Sequence, residues 1–283
     1  MYEIIDGKAT AQSVREGIKN RADSFFEKHG QYPSLTVILV GNDPASAIYV
    51  RNKQRACEKS DIKAETLLFD EKISTEFLLG EIDRLNKDKN VNGILVQLPL
   101  PKQIDTNLVL NAIAPEKDVD GFHPYNAGLL FKSESPLEPC TPKGCVELLK
   151  RYKVPLDGAE VVIIGRSNLV GRPLARMLER ENCTVTLCHT HTKDVSNHTK
   201  RADIVVCAVG KPNVLTADMV KDGAVIIDVG INRREDGTIC GDVDFESVSS
   251  RASKITPVPG GVGPMTIAML LENTCIAAEA QNA

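Results

Sequence analysis

Short apolar runs alternate with longer stretches of helical spacing through the first half of the chain. Residues 35–40 (LTVILV), 65–69 and 93–98 (GILVQL) read as buried strands, because unbroken apolar runs of this length suit a sheet covered on both faces. Residues 12–29, 46–60 and 75–87 between them have the length and spacing of helices. Strand and helix in alternation predict a parallel sheet with helices packed on it. Pro99 and Pro101 then break the pattern, which puts a loop directly after a strand's C-terminal end, where open parallel sheets gather ligands.

Residues 118–142 are rich in Pro and Gly with little periodicity, and they mark the expected boundary between two halves. A second alternating series follows. It has helices over 142–150 and 170–181, and strands over 161–164, 184–188, 204–208 and 225–228. Asp236-Gly237 between short polar-apolar segments predicts a hairpin turn. Residues 264–281 read as an amphipathic helix after a glycine cluster, folding back on the first half.

At 283 residues the chain is long enough for two modest domains. The apolar fraction of 42%, charged fraction of 25% and net charge of -4 give no electrostatic reason to expect a nucleic acid or an acidic membrane as partner. The start lacks a basic segment followed by an apolar run, and the apolar stretches are strand-sized, so a cytoplasmic protein is expected. The 8 cysteines lie in apolar runs without a C-x-x-C pair or paired histidines. They read as reduced packing thiols, and no metal site is expected.

Residues 161–178 (VVIIGRSNLVGRPLARML) form a strand, a glycine turn and a helix in immediate succession. Gly165 suits the tight turn and Gly171 close helix-strand packing, with the helix N-terminus facing a diphosphate. Ser167 replaces the middle glycine of G-x-G-x-x-G, so the loop is a variant, and an ordinary strand-helix turn is the bland alternative. No acidic residue follows the second strand to bind a ribose 2′-hydroxyl. Cys188 leads instead into His189, Thr190, His191, Thr192 and Lys193, and Arg166 sits in the loop itself. Cationic and hydroxyl donors suit a 2′-phosphate, which points to NADP, with Arg166 and Thr190 the stronger candidates.

Tyr49 and Lys53 lie four apart on a predicted helix with Ser46 one turn earlier, so a phenol and an amine leave one face. An exposed face is the alternative for these residues alone. Gln97 ends an otherwise apolar strand and Asp120 sits in the loop sequence DVDGF, and a buried amide or carboxylate needs a partner. Together with Lys53 they predict a polar cluster at the C-terminal edge of the first sheet. Residues 257–266 (PVPGGVGPMT) combine glycine freedom with proline stiffness and read as a ligand-contacting hinge, with Pro264 as the first helical residue.

These segments resemble the bifunctional methylenetetrahydrofolate dehydrogenase/cyclohydrolase family almost end to end. The resemblance is carried by GNDPASAIYVRNK (41–53), VQLPLP (96–101), DVDGFHPYNAG (118–128), PCTP (139–142), GRSNLVGRP (165–173), VGIN (229–232), GDVDF (241–245) and PGGVGPMT (259–266). It implies NADP-dependent oxidation of 5,10-methylenetetrahydrofolate and hydrolysis of the methenyl product to 10-formyltetrahydrofolate. It also implies roles: Lys53 as the central catalytic group, Tyr49 stacking on the folate, Gln97 hydrogen-bonding the lysine and Asp120 anchoring the pterin. Ser46, Leu98, Gly260, Gly263 and Pro264 are implied at the substrate, and Gly165, Arg166, Ser167, Thr190 and Ile231 at the cofactor. The chain departs from the family at His191, which stands where a basic residue usually follows Thr190.

The expected architecture is therefore α/β in two domains with a cleft between them. An N-terminal catalytic, folate-binding domain spans residues 1–138 and a Rossmann-type NADP-binding domain spans 139–263. A C-terminal helix over 264–283 packs back on the first. The resemblance adds tetrahydrofolate derivatives as ligands, a homodimer and a place in purine biosynthesis. A dehydrogenase of the same scaffold acting on an amino acid or shikimate-like acid would need a basic carboxylate-binding cluster, which the sequence lacks. A module that merely holds NADP would have no use for Lys53, Gln97 and Asp120 together.

Overall fold

The computed structural model describes residues 2–283. Its elements run β1 (Glu3–Ile4), α1 (Gly7–His29), β2 (Ser34–Val40), α2 (Pro44–Lys59), β3 (Lys63–Phe69), α3 (Thr75–Lys87) and β4 (Gly93–Val96). Then come α4 (Thr106–Ala112), α5 (Pro124–Phe131), α6 (Cys140–Arg151), β5 (Glu160–Ile164), α7 (Gly171–Arg180), β6 (Thr184–Cys188) and α8 (Val195–Thr199). The chain ends with β7 (Ile204–Cys207), β8 (Val225–Asp228), β9 (Asn232–Arg233), β10 (Ile239–Cys240), α9 (Phe245–Ser249), β11 (Lys254–Ile255) and α10 (Val262–Gln281).

Two compact units emerge, each built from two stretches of chain. The first comprises Ser13–Cys140 and Ile267–Ala283. Its sheet has the order β3-β2-β4 with every pair parallel. All seven residues of β2 are buried, as befits a central strand covered on both faces. Ile38, Val40, Ile94 and Val96 pack against Leu78, Ile82 and Leu85 of α3, each such side chain adding about 1.5–3 kcal/mol on full burial. α3 starts on Ser74, whose Oγ accepts from Phe77 N at 3.2 Å. At its other end the Nζ of buried Lys117 donates to the carbonyls of Leu85 and Asp88 at 3.0 and 2.7 Å, adding to the bonds that these carbonyls accept from Asp88 N and Val91 N. Burial lowers the pKa of Lys117.

The second unit takes the N-terminal segment through Gln12 together with Thr141–Thr266. Its sheet order is β1-β11-β8-β7-β5-β6, again all parallel. The core under it gathers Val162, Ile164, Val205, Cys207, Ile226 and Ile255. The chain passes from β5 to β6 on one side and then to β7 on the other. The order thus reverses between β5 and β7, the position at which doubly wound sheets take their ligand.

Several expectations change. Residues 2–12 belong to the second unit, because Glu3 and Ile4 pair in register with Lys254 and Ile255; a two-residue strand has too little periodicity to read. The boundary expected within 118–142 does fall there, between Cys140 and Thr141, and the stretch also holds α5 and the start of α6. α10 is buried on nearly every face rather than amphipathic, and it begins at Val262, so Pro264 is its third residue. A proline is still tolerated there because the first four helical N–H groups have no intrahelical acceptor. The strand expected over 93–98 ends at Val96, although Gln97 N still donates to Ile38 O at 2.9 Å. The hairpin is present: β9 and β10 pair antiparallel around Asp236-Gly237.

Candidate active site

In the first unit, the polar cluster grows from how α2 begins and β4 ends. Asp43 caps α2, its Oδ2 accepting from Ser46 N at 2.7 Å, and Pro44 fills the first turn. That start turns Ser46, Tyr49 and Lys53 onto one inward face. Ser46 and Lys53 are only 5% and 8% exposed and Tyr49 is half-buried, so the face is not a solvated one. Burial raises the Tyr49 phenol.

Lys53 Nζ donates to Gln97 Oε1 at 3.0 Å. Gln97 Nε2 in turn donates to the carbonyl of Leu98 at 2.7 Å. The second bond fixes which amide atom faces the lysine, because only the oxygen accepts. Leu98 precedes Pro99 through a cis peptide. Both residues therefore sit in the loop beyond β4, at the sheet's C-terminal edge.

Asp120 completes the group. Desolvation raises its pKa, Asp118 adds to that, and the charge of Lys53 and a hydrogen bond with Cys140 oppose it. The loop carrying it is held by residues the sequence reading passed over. Buried Asp118 accepts from Phe122 N, His123 N and Asn126 Nδ2 at 3.2, 2.8 and 2.9 Å. Asn273 of α10 donates to the carbonyls of Val119 and Glu138 at 2.9 and 2.8 Å. Gly121, at φ 73°, turns the chain where a Cβ would lie 2.7 Å from Glu138 C, so only glycine fits.

In the second unit, Gly165 follows β5 at φ 123°, and a Cβ there would lie 2.2 Å from Ala208 O. Gly171 opens α7 with its Cα against Gly165 O, where a Cβ would lie at 2.1 Å. Both glycines allow strand, loop and helix to approach as bare backbone, the arrangement that seats a diphosphate. Ser167 Oγ accepts from Val170 N at 3.1 Å, and Ser167 and Arg166 are exposed. Beyond β6, Thr190 is exposed and His189 accepts from His191 N through Nδ1 at 3.1 Å. Desolvation lowers the His189 pKa, and Arg166 and His191 push it the same way, which groups these three basic side chains at one end of the sheet.

Gly260, at φ 110°, receives Lys8 N on its carbonyl at 3.0 Å. Gly263 and half-buried Pro264 lie in the first turn of α10. Ile231 is 48% exposed and its Cδ1 would lie 4.0 Å from a Cβ on Gly263. Ile231 and Gly263 are thus neighbours within this unit. Among the described residues no cluster of His, Cys, Asp or Glu is arranged to hold a metal ion.

Fold and glycine loop together define a two-unit α/β protein with a Rossmann-type dinucleotide-binding unit. The sequence profile of the tetrahydrofolate dehydrogenase/cyclohydrolase catalytic domain matches residues 5–120, and that of the family's NAD(P)-binding domain matches residues 139–282. The chain belongs to this family. It is 52% identical over 276 residues to the bifunctional protein FolD of Nautilia profundicola, covering 98% of this chain and 97% of that one. Among solved structures it is similar to the bifunctional methylenetetrahydrofolate dehydrogenase/cyclohydrolase of Campylobacter jejuni. That match has a TM-score of 0.97, 51% identity and 99% coverage of both chains. The Trypanosoma brucei enzyme, solved with NADP and an inhibitor, superposes with a TM-score of 0.94 at 36% identity, covering 99% of this chain and 98% of that one.

Proposed function

We propose that this protein oxidises 5,10-methylenetetrahydrofolate with NADP to the 5,10-methenyl compound and hydrolyses that product to 10-formyltetrahydrofolate. The observation that carries the reading is the buried Lys53 amine, 3.0 Å from Gln97 and within Coulombic reach of Asp120. Membership of the family and the likeness to bifunctional relatives along almost the whole chain support it.

The residues present fit NADP. A glycine cradle that a Cβ would fill lies at the switch point, and no carboxylate occurs between Cys188 and Lys193 to repel a 2′-phosphate. Arg166, Ser167 and Thr190 would hold the nucleotide, with Ile231 beside it. When bound, NADP supplies the hydride acceptor. Oxidation then asks little acid-base work of the chain, since the folate nitrogens stabilise the cation and positioning dominates. Tyr49 would stack on the folate, and Asp120 would accept from the amino-pyrimidine edge of the pterin. Ser46 and Leu98 would add to the substrate surface of the first unit.

Hydrolysis requires proton movement. Water adds to the methenyl carbon and gives up one proton to the Lys53 amine, that proton passes to N5 as the carbon–N5 bond breaks, and the second water proton leaves to solvent as the formyl carbonyl forms. Gln97 keeps Nζ aimed without adding charge. Eight buried cysteines, none of them in a disulfide among the described residues, accord with a reducing compartment, the cytoplasm, and a two-fold dimer is the commonest assembly. The product is a one-carbon donor suited to purine biosynthesis. The test is a coupled spectrophotometric assay: NADPH should form with methylenetetrahydrofolate, and methenyl absorbance should then decay. Absence of NADPH formation would reject the reading.

A further inference from the structure

The chemistry proposed above leaves two buried carboxylates of the second unit without a task. Asp242, in the loop between β10 and α9, is 0% exposed. Its Oδ2 accepts from the backbone N–H of Val209 and Gly210 at 2.7 and 2.9 Å. Its Oδ1 accepts from Lys211 N at 3.0 Å and from Asn232 Nδ2 at 2.8 Å. Asp228, at the end of β8, accepts from Gly230 N, Asp242 N and Val243 N, each at 2.9 Å. Two glycines make room: a Cβ on Gly230 would lie 2.1 Å from Asp242 Oδ1, and one on Gly241 would lie 1.8 Å from Asp228 Oδ2.

The place of this clasp matters more than its bond count. Val209–Lys211 leaves the C-terminal end of β7, and β7 borders β5 across the point where strand order reverses. Ala208, immediately before it, carries the carbonyl that abuts Gly165. The segment is therefore the wall facing the glycine loop across the crevice in which such sheets take a dinucleotide. Asn232, the other donor to Asp242, follows Ile231 directly. One carboxylate thus holds both the β7 loop and the β8 loop.

We propose that Asp242 is a positioning residue for the nucleotide. It draws three successive N–H groups onto one carboxylate and so presets the backbone of residues 209–211 and 231–232 in the shape the dinucleotide requires. This rests on the assignment of the second unit as the nucleotide-binding one, and not on which folate reaction follows.

The experiment is a fluorescence titration of NADPH binding to wild type, Asp242→Asn, Asn232→Ala and Gly210→Ala, alongside the rate of methenyltetrahydrofolate hydrolysis. Hydrolysis consumes no nucleotide and reports on the first unit. Asp242→Asn places an NH₂ against N–H donors, and the expected result is a rise in Kd on the order of tenfold or more, with a matching rise in KM for NADP and hydrolysis retained. Asn232→Ala leaves the carboxylate in place and should give a smaller rise. Gly210 sits at φ 69° with open space for a methyl group, so Gly210→Ala disturbs only the loop's backbone and carries the test if Asp242→Asn fails to fold. Folded variants that bind NADPH within about twofold of wild type, or that lose hydrolysis and binding in equal measure, overturn the proposal. Wild type that binds NADPH but oxidises no folate would defeat the proposed reaction and leave this inference standing.

Discussion

Lys53 Nζ lies 3.0 Å from Gln97 Oε1, a bond joining the middle of α2 to the residue just beyond β4. Two parallel-sheet crossovers bring these groups together, and the amide's second bond to Leu98 O decides that its oxygen faces the amine. Lys53→Met should therefore lower methenyltetrahydrofolate hydrolysis by about 100-fold or more while leaving NADPH binding near wild type. Hydrolysis persisting at the wild-type rate would remove Lys53 from the proton path.

Asp120 gives a pH dependence of known sign. Burial raises its pKa, so the ionised form is lost at a higher pH than for an ordinary aspartate. If that form accepts hydrogen bonds from the pterin, KM for the folate should climb as pH falls toward the raised value. Asp120→Asn should bind folate weakly at every pH and show no such climb. Parallel profiles for the two proteins would place the titrating group elsewhere.

Lys117 is a structural counterpart to Lys53. Its two bonds to carbonyls at the end of α3 are lost in Lys117→Met, which removes two buried hydrogen bonds at a cost of roughly 1–3 kcal/mol. Thermal unfolding should begin several degrees lower, by about 2–4 °C per kcal/mol for a protein of this size, with kcat per folded molecule unchanged. An unaltered midpoint would show that water replaces the amine.

Asp228 is pushed up to about 6, chiefly by burial, against its own backbone hydrogen bonds. The folded state thus binds the proton more tightly than the unfolded chain, whose value is the ordinary 3.8. The stability this contributes is complete below the unfolded value and is lost as pH rises through about 6. The stability of wild type minus that of Asp228→Asn should decline across this window, by an amount on the order of a few kcal/mol, and stay flat above it. A difference that grows with pH would mean the carboxylate is stabilised in its ionised form.

Much of this organisation was legible because it rests on local signals. The unbroken apolar runs at 35–40 and 161–164 marked central strands, and Gly165 and Gly171 were readable from strand, turn and helix in direct succession. Tyr49 and Lys53 share a face by helical spacing alone. What escaped notice depends on contacts distant in sequence. Asn273 meets Val119 and Glu138 only after residues 141–266 have intervened, and Asp242, seen in the sequence only within a family motif, takes its partners at residues 209–211. The amphipathic pattern assigned to α10 failed because its alanines, methionines and leucines are enclosed on nearly every side, which periodicity in a single helix does not report. The two-residue strand at Glu3–Ile4 is defined wholly by its partner 251 residues away.

The interleaving of the two units bears on how the protein emerges from the ribosome. Most of the first unit, Ser13–Cys140, is translated before most of the second, yet the stretch from Ile267 onward belongs to it and bonds to Val119, Glu138, Asn92 and Glu116. Those carbonyls wait until Asn273 and Gln281 have been made. The nucleotide unit has all its strands once β11 is made. Domains usually mature in the order of their translation; here the unit whose bulk is made first is completed after the other.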